Sequence, residues 1–182
     1  DFSADYTYFI NTFSDATTPY VFTLREAKTG KLLREIKNNS DLKNRLASYK
    51  ISPKEYSTIN INGEDLNMYM IKPLDFDESK QYPLFLYQYS GPGSQNVSNS
   101  WMSSNDYWHE MLANEYGIII ACVDGRGTGF KGRDFKKMTQ KELGKYEVED
   151  QTAVAKKLSE LPYIDACQRI WNYHSLRGRS RN

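Results

Sequence analysis

The sequence predicts an α/β fold, a mixed and mostly parallel sheet entered through an antiparallel segment, on three observations. The apolar run Ile118-Ile119-Ile120-Ala121-Cys122-Val123 is strand-sized and rich in β-branched residues, as strands buried on both faces are. An alternating stretch ends at Ile61, an Asn62-Gly63 turn follows, and a second alternation runs through Leu66, Met68 and Met70, which together give the strongest hairpin signal of the chain. After that hairpin, strand and helix patterns alternate, the arrangement that places helices on the faces of a parallel sheet.

In chain order, strand patterns at 6–13, 20–25 and 32–36 are separated by Ser14-Asp15 with Pro19 and by Lys28-Thr29-Gly30, and read as an antiparallel meander. Three such strands cannot bury their faces alone, so they are expected at the edge of a larger β structure, as most of a four-stranded blade. Ser40 is read as the cap of a short connector helix with Leu42 and Leu46 on one face. Beyond the hairpin, Leu84-Phe85-Leu86-Tyr87 is a short apolar strand that runs into the turn-rich Ser90-Gly91-Pro92-Gly93-Ser94. A helix with Trp108, Met111 and Leu112 on one face precedes the strand at Ile118. The glycine-rich Asp124-Gly125-Arg126-Gly127-Thr128-Gly129 then leads to a helix over about 147–161, with Glu147, Glu149 and Asp150 in its first turn, where the helix dipole favours acids.

Composition narrows the function. With 39% hydrophobic and 26% charged residues the chain of 182 is that of a water-soluble globular protein, and no apolar run approaches the roughly 20 residues of a membrane helix. A net charge of +1 excludes a strongly basic nucleic-acid binder, although Arg169, Arg177, Arg179 and Arg181 crowd the last segment. Two cysteines make no disulfide framework, and two histidines without paired spacing make no zinc site. The chain opens at Asp1 without an initiator Met or leader-type segment, which reads as a processed or internal start and leaves localisation open.

The segment Tyr87-Gln88-Tyr89-Ser90-Gly91-Pro92-Gly93-Ser94-Gln95 resembles the signature of the dipeptidyl peptidase IV branch of the prolyl oligopeptidase family of serine peptidases. Three more segments fall in that family's order: Asp124-Gly125-Arg126-Gly127-Thr128-Gly129, then Leu143-Gly144 with Glu147-Val148-Glu149-Asp150-Gln151, then Tyr163-Ile164-Asp165. The resemblance implies an α/β-hydrolase fold beneath a β-propeller. Residues 1–48 are then the propeller's last strands and a connector helix, and 49–166 the first half of the peptidase domain. It implies release of dipeptides with Pro or Ala second from peptide N-termini, tripeptide release being the variant, with peptide substrates as partners and no cofactor. It also implies homodimers and a cell-envelope, periplasmic or secreted setting.

By resemblance Tyr89 is an oxyanion donor, its phenol aimed at the tetrahedral oxygen. The family's next element is a strand ending in Gly-Trp-Ser-x-Gly-Gly, whose glycines are needed because the serine sits on a strained strand-to-helix turn. Ser175 and Ser180 lack that frame, and His174 beside Ser175 would point to the opposite face of an extended segment, so none of the three is taken as catalytic. The nucleophile, Asp and His are therefore expected to be absent, and the chain inactive alone. Regular patterning lapses after Ala166, and 167–182 read as a basic tail from a shifted reading frame, with a natural variant terminus as the rival account.

Asp124, Arg126, Glu147, Glu149 and Asp150 are expected to be structural, Arg126 pairing with the acids of the helix start, and His109 is read as a surface or boundary residue. Two other functions compete. Gly127-x-Gly129-x-x-Gly132 matches a dinucleotide-binding fingerprint, although the basic residues from Arg133 to Lys141 replace the apolar helix that should pack behind its third glycine. A non-catalytic interaction module is the other.

Overall fold

The structure, a computed structural model, describes residues 1–49, 51–102 and 104–173. Strands β1 (Tyr8–Phe13), β2 (Val21–Glu26) and β3 (Leu32–Lys37) form an antiparallel sheet in sequence order. Its faces are open: Tyr8, Ile10, Phe13, Leu32, Leu33 and Ile36 are all exposed, and in these three strands only Thr23 is buried. Helix α1 (Ser40–Leu46) follows, and its N-cap is Asn39, not Ser40. Asn39 takes φ 54° and spends its side-chain amide on the Tyr20 carbonyl at 2.6 Å, tying the helix start back to the sheet instead of capping it.

Strands β4 (Lys54–Ile61) and β5 (Glu64–Ile71) form the hairpin, closed at the pair Ile61↔Glu64. Asn62 at φ 53° and Gly63 at φ 88° supply the two consecutive positive φ values a tight type I′ turn demands, which is why this dipeptide was so legible. There follow β6 (Tyr82–Gln88), α2 (Ser104–Tyr116), β7 (Ile119–Asp124), α3 (Arg133–Lys137), α4 (Lys145–Leu158) and β8 (Ile164–Tyr173). The second sheet has the order β4-β5-β7-β6-β8. β6 pairs in parallel with both β7 and β8, whereas β5 is antiparallel to β4 and β7, so four of the five strands run one way and only β5 opposes them.

All six residues of β7 are buried because both faces of the sheet are covered. On one face Leu84, Leu86, Ile119, Ala121 and Val123 pack with Val154, Ala155 and Leu158 of α4. On the other, Tyr69, Phe85, Ile120 and Cys122 pack with Ala113 of α2 and with Val97. Each fully buried aliphatic side chain contributes about 1.5–3 kcal/mol, so this sheet carries most of the chain's burial energy, and the first sheet little of it.

Two expectations are corrected. Regular structure does not lapse at Ala166: β8 continues to Tyr173, paired with β6 at Ile164 and again from Arg169 to Tyr173. Between Tyr82↔Ile164 and Leu84↔Arg169 the register advances two residues on β6 but five on β8, and such a bulge breaks any period-2 pattern a reader could use. The rest of the basic tail, with His174, Ser175 and Ser180, lies outside the described residues. In α2 the inner face is also not the expected one. Asp106, His109, Glu110 and Ala113 are buried, at spacings of 3, 4 and 7, while Trp108 and Met111 are about two-fifths exposed.

Candidate active site

The carboxyl ends of the parallel strands meet on one edge of the sheet. Tyr87 pairs with Cys122 and Gln88 with Tyr173, so the segments after β6 and β7, and the end of β8, lie together there. Tyr89 is the first residue beyond β6. Its carbonyl accepts from the Gly91 N–H at 3.1 Å and from the Ser94 hydroxyl at 2.7 Å, which folds the 89–94 turn back on itself. The ring is 44% exposed, and among the described residues its hydroxyl makes no hydrogen bond, leaving an O–H available to a ligand.

That turn is held from below. The Gln88 amide oxygen accepts from both the N–H and the hydroxyl of Ser90, and the Gln151 amide of α4 donates to Ser90 Oγ at 3.2 Å and to the Val123 carbonyl at 3.0 Å. It is also laced sideways to the glycine-rich loop after β7. Gly93 N–H donates to the Gly127 carbonyl at 3.0 Å, and Gly129 N–H to the Ser94 carbonyl at 2.8 Å. The approach depends on glycine: a Cβ on Gly129 would stand 3.2 Å from the Gly93 oxygen, and one on Gly127, at φ +93°, would stand 2.4 Å from Thr139 Cγ2. The room at Gly127 and Gly129 is filled by protein, although Gly132 faces open space, and this argues against a dinucleotide phosphate lying on the first two glycines.

Asp124 is buried at the end of β7, and its carboxylate accepts the N–H groups of Asn96 at 3.0 Å and Val97 at 2.9 Å. Burial raises its pKa, and those two amides oppose the rise by solvating the anion. Arg126 and Asp150 are brought together: Nη2 and Nε lie 2.6 and 2.8 Å from Oδ1, and the Arg126 N–H donates to Oδ2 at 2.7 Å. Glu149 adds a contact at 3.2 Å, and the guanidinium stacks on Tyr146 at 4.5 Å. Hydrogen bonding to Asp150, opposed by burial, raises the Arg126 pKa. Glu147 does not join this pair. It accepts the Gly144 N–H at 2.9 Å and so caps its own helix, its other oxygen being buried without a partner among the described residues.

Two side chains near the site escaped the sequence reading. Gln151 had a signal: Glu147, Asp150, Gln151, Val154, Ala155 and Leu158 are spaced along one face of α4, so the polar half of that face had to be inside. His109 is fully buried, not at the surface, among the rings of Phe85, Tyr87 and Trp108. Neither ring nitrogen has a hydrogen-bond partner among the described residues, and burial pushes its pKa down to about 4. Its spacing to Asp106 and Ala113 was readable, but a histidine between Trp108 and Glu110 on a polar-aromatic helix looks like a surface or boundary residue. Among the described residues no three His, Cys, Asp or Glu side chains converge as metal ligands, and no helix is long and apolar enough to cross a membrane.

Chemically, then, the edge presents one free phenol on a rigid turn, at the carboxyl ends of parallel strands, with no base or nucleophile beside it among the described residues. The prolyl oligopeptidase family pattern matches residues 95–171. The chain is 38% identical over 144 residues to a probable dipeptidyl-aminopeptidase B of Arthroderma benhamiae, an alignment covering 79% of this chain and 15% of that protein. It is 36% identical over 154 residues to the prolyl endopeptidase FAP of Bos taurus, covering 84% of this chain and 20% of the relative. The crystal structure of Porphyromonas gingivalis dipeptidyl peptidase 4 superposes with a TM-score of 0.88 at 41% identity, over 94% of this chain and 24% of that one. The chain thus spans about a fifth of the length of the proteins it matches.

Proposed function

Since the chain belongs to the prolyl oligopeptidase family, in its dipeptidyl peptidase IV branch, we propose that it supplies the oxyanion side of a serine exopeptidase site that releases N-terminal dipeptides with Pro or Ala second. The observation that carries this reading is the position of Tyr89, its hydroxyl unengaged among the described residues, on a turn locked to two neighbouring segments, where the parallel register ends β8 beside it. When a serine oxygen adds to the scissile carbonyl, negative charge collects on the former carbonyl oxygen. A fixed O–H aimed there stabilises that charge without reorganising. The Tyr89 phenol is that donor, and the second is the backbone N–H after the serine. A general base removes the serine proton and returns it to the departing amine; water then cleaves the acyl-enzyme. Asp124 holds the segment after the turn, Arg126 and Asp150 hold the glycine-rich loop, Glu147 caps α4, and none of the four touches substrate. No serine of this chain stands in an elbow frame, so alone it is inactive.

The test is to translate the coding DNA beyond β8 in all three frames and to assay any product that carries Gly-x-Ser-x-Gly on Gly-Pro and Ala-Pro chromogenic substrates. There Tyr89→Phe is expected to lower kcat by roughly 10²–10³ with little change in KM, as loss of one oxyanion donor does. Unchanged turnover in the variant removes Tyr89 from the mechanism, and hydrolysis by the present chain itself overturns its proposed inactivity.

A further inference from the structure

Beside the Tyr89 turn lies a groove of about 570 Å³ between Pro92 and the segment around α3, walled by Arg133, Lys136, Lys137, Lys141 and the exposed Leu143. Lys54, Lys72, Lys80, Arg126 and Lys145 all have carboxylate partners, whereas Arg133, Lys136, Lys137 and Lys141 have none among the described residues. The acids in the same stretch do not neutralise them: Asp134 forms no ion pair among the described residues, and Glu142 is taken by Lys145. Lys136 lies directly against the turn, its Cε and Nζ standing 3.0 and 3.2 Å from where a Cβ on Gly93 would be. Lys141 is held at φ 68°, a conformation a non-glycine residue adopts at a cost. Four cations without carboxylate partners among the described residues line this one concavity, and one of them, Lys136, lies against Gly93, four residues along the chain from Tyr89.

We infer that this groove is an anion-selecting subsite for acidic residues of the peptide on the leaving side of the scissile bond. The inference rests on the proposed exopeptidase reading, because an enzyme that removes a dipeptide has only two residues upstream of the bond. Any longer stretch of substrate must extend downstream. The charge sign reinforces that direction: the substrate's ammonium terminus is repelled from the groove, while Asp and Glu side chains are attracted. The aliphatic stems of the lysines, with Pro92 and Leu143, give the same peptide an apolar wall.

The experiment is equilibrium binding of the full chain, read by fluorescence anisotropy, to two short labelled peptides that begin Gly-Pro and continue with either Asp/Glu or Asn/Gln. The acidic peptide should bind more tightly, and its affinity should weaken steeply with added salt. Exchanging Lys136, Lys137 and Lys141 for Glu should cost roughly tenfold or more in affinity, the sum of three exposed pairs. A control with the same charge change elsewhere, Lys28→Glu, Lys43→Glu and Lys156→Glu, should leave binding near that of the parent, and Lys→Gln at the three groove positions should fall between. Equal loss in the control, or equal binding of the two peptides, overturns the inference. Because no turnover is measured, the two readings separate. Selective acidic binding with Tyr89-independent hydrolysis would keep the groove and remove the oxyanion role. Tyr89-dependent hydrolysis without acidic preference would do the reverse.

Discussion

On the two helices that cover the second sheet, buried polar side chains fare differently: α2 pairs Asp106 with Lys54 at 3.0 Å, as α4 pairs Asp150 with Arg126, but it holds His109 with no polar partner among the described residues. On α4, Asp150 is fully buried and meets Arg126 through two guanidinium nitrogens and a backbone N–H, and Gln151 bridges Ser90 and Val123. On α2, His109 has aromatic rings around it and no hydrogen bond among the described residues. Its neighbour Glu110, held by the Ser52 N–H at 2.7 Å and the Asn114 amide at 3.2 Å, is pushed up to about 7 by burial. A buried charge survives where its partner's geometry is complete; elsewhere the group gives up its charge, the histidine by staying neutral and the glutamate by taking a proton.

The largest effect that could break this comparison is Asp150→Ala. Leaving Arg126 buried without its carboxylate should destabilise by about 3–5 kcal/mol in urea unfolding, with Glu149 too exposed to replace it. A loss below about 1 kcal/mol would mean that the guanidinium swings out to water and that the pair is not the anchor of the glycine-rich loop.

A second, smaller effect is read against pH. His109 titrates near 4 in the folded chain against 6.5 in the unfolded one, so the unfolded state binds more protons between those values and stability falls as pH drops through that window. Glu110 titrates near 7 against 4.5, so the folded state binds more protons and stability falls as pH rises from about 4.5 to 7. The two slopes oppose each other, each on the order of 3 kcal/mol across its window. Glu110→Gln should therefore expose a loss of stability on acidification from about pH 6.5 to 4, and His109→Leu a loss on raising pH from about 4.5 to 7. If both variants keep the parent's pH profile, neither group is as dry as its surroundings suggest.

The smallest effect sharpens the contrast at a pH where neither helix gains or loses a proton. At pH 8, Gln151→Leu should cost about 1–3 kcal/mol, because it strands the Val123 carbonyl and Ser90. His109→Leu should be neutral or stabilising by about 1 kcal/mol, since it removes polar atoms that nothing among the described residues satisfies. Matching losses from the two would erase the distinction between the faces.

By itself the sequence determined the elements whose causes are local. Asn62-Gly63 announces its hairpin because only such residues accept two successive positive φ values; the run through β7 and the spacing along α4 show burial as a period; and the Ser90-Gly91-Pro92-Gly93 turn marks where Tyr89 leaves its strand. Only the tertiary structure decided which groups those elements meet. Arg126 finds Asp150 24 residues away and Gln151 finds Ser90 61 residues away; Thr139 fills the space over Gly127, β8 runs past Ala166 on β6's hydrogen bonds, and α2 turns His109 inward. Spacing could show that the faces of α2 and α4 carrying His109 and Gln151 turn inward, and the acids at the start of α4 offered Arg126 a partner, but which residue each one meets is a property of two distant segments at once, and one segment's pattern records only that it needs a partner.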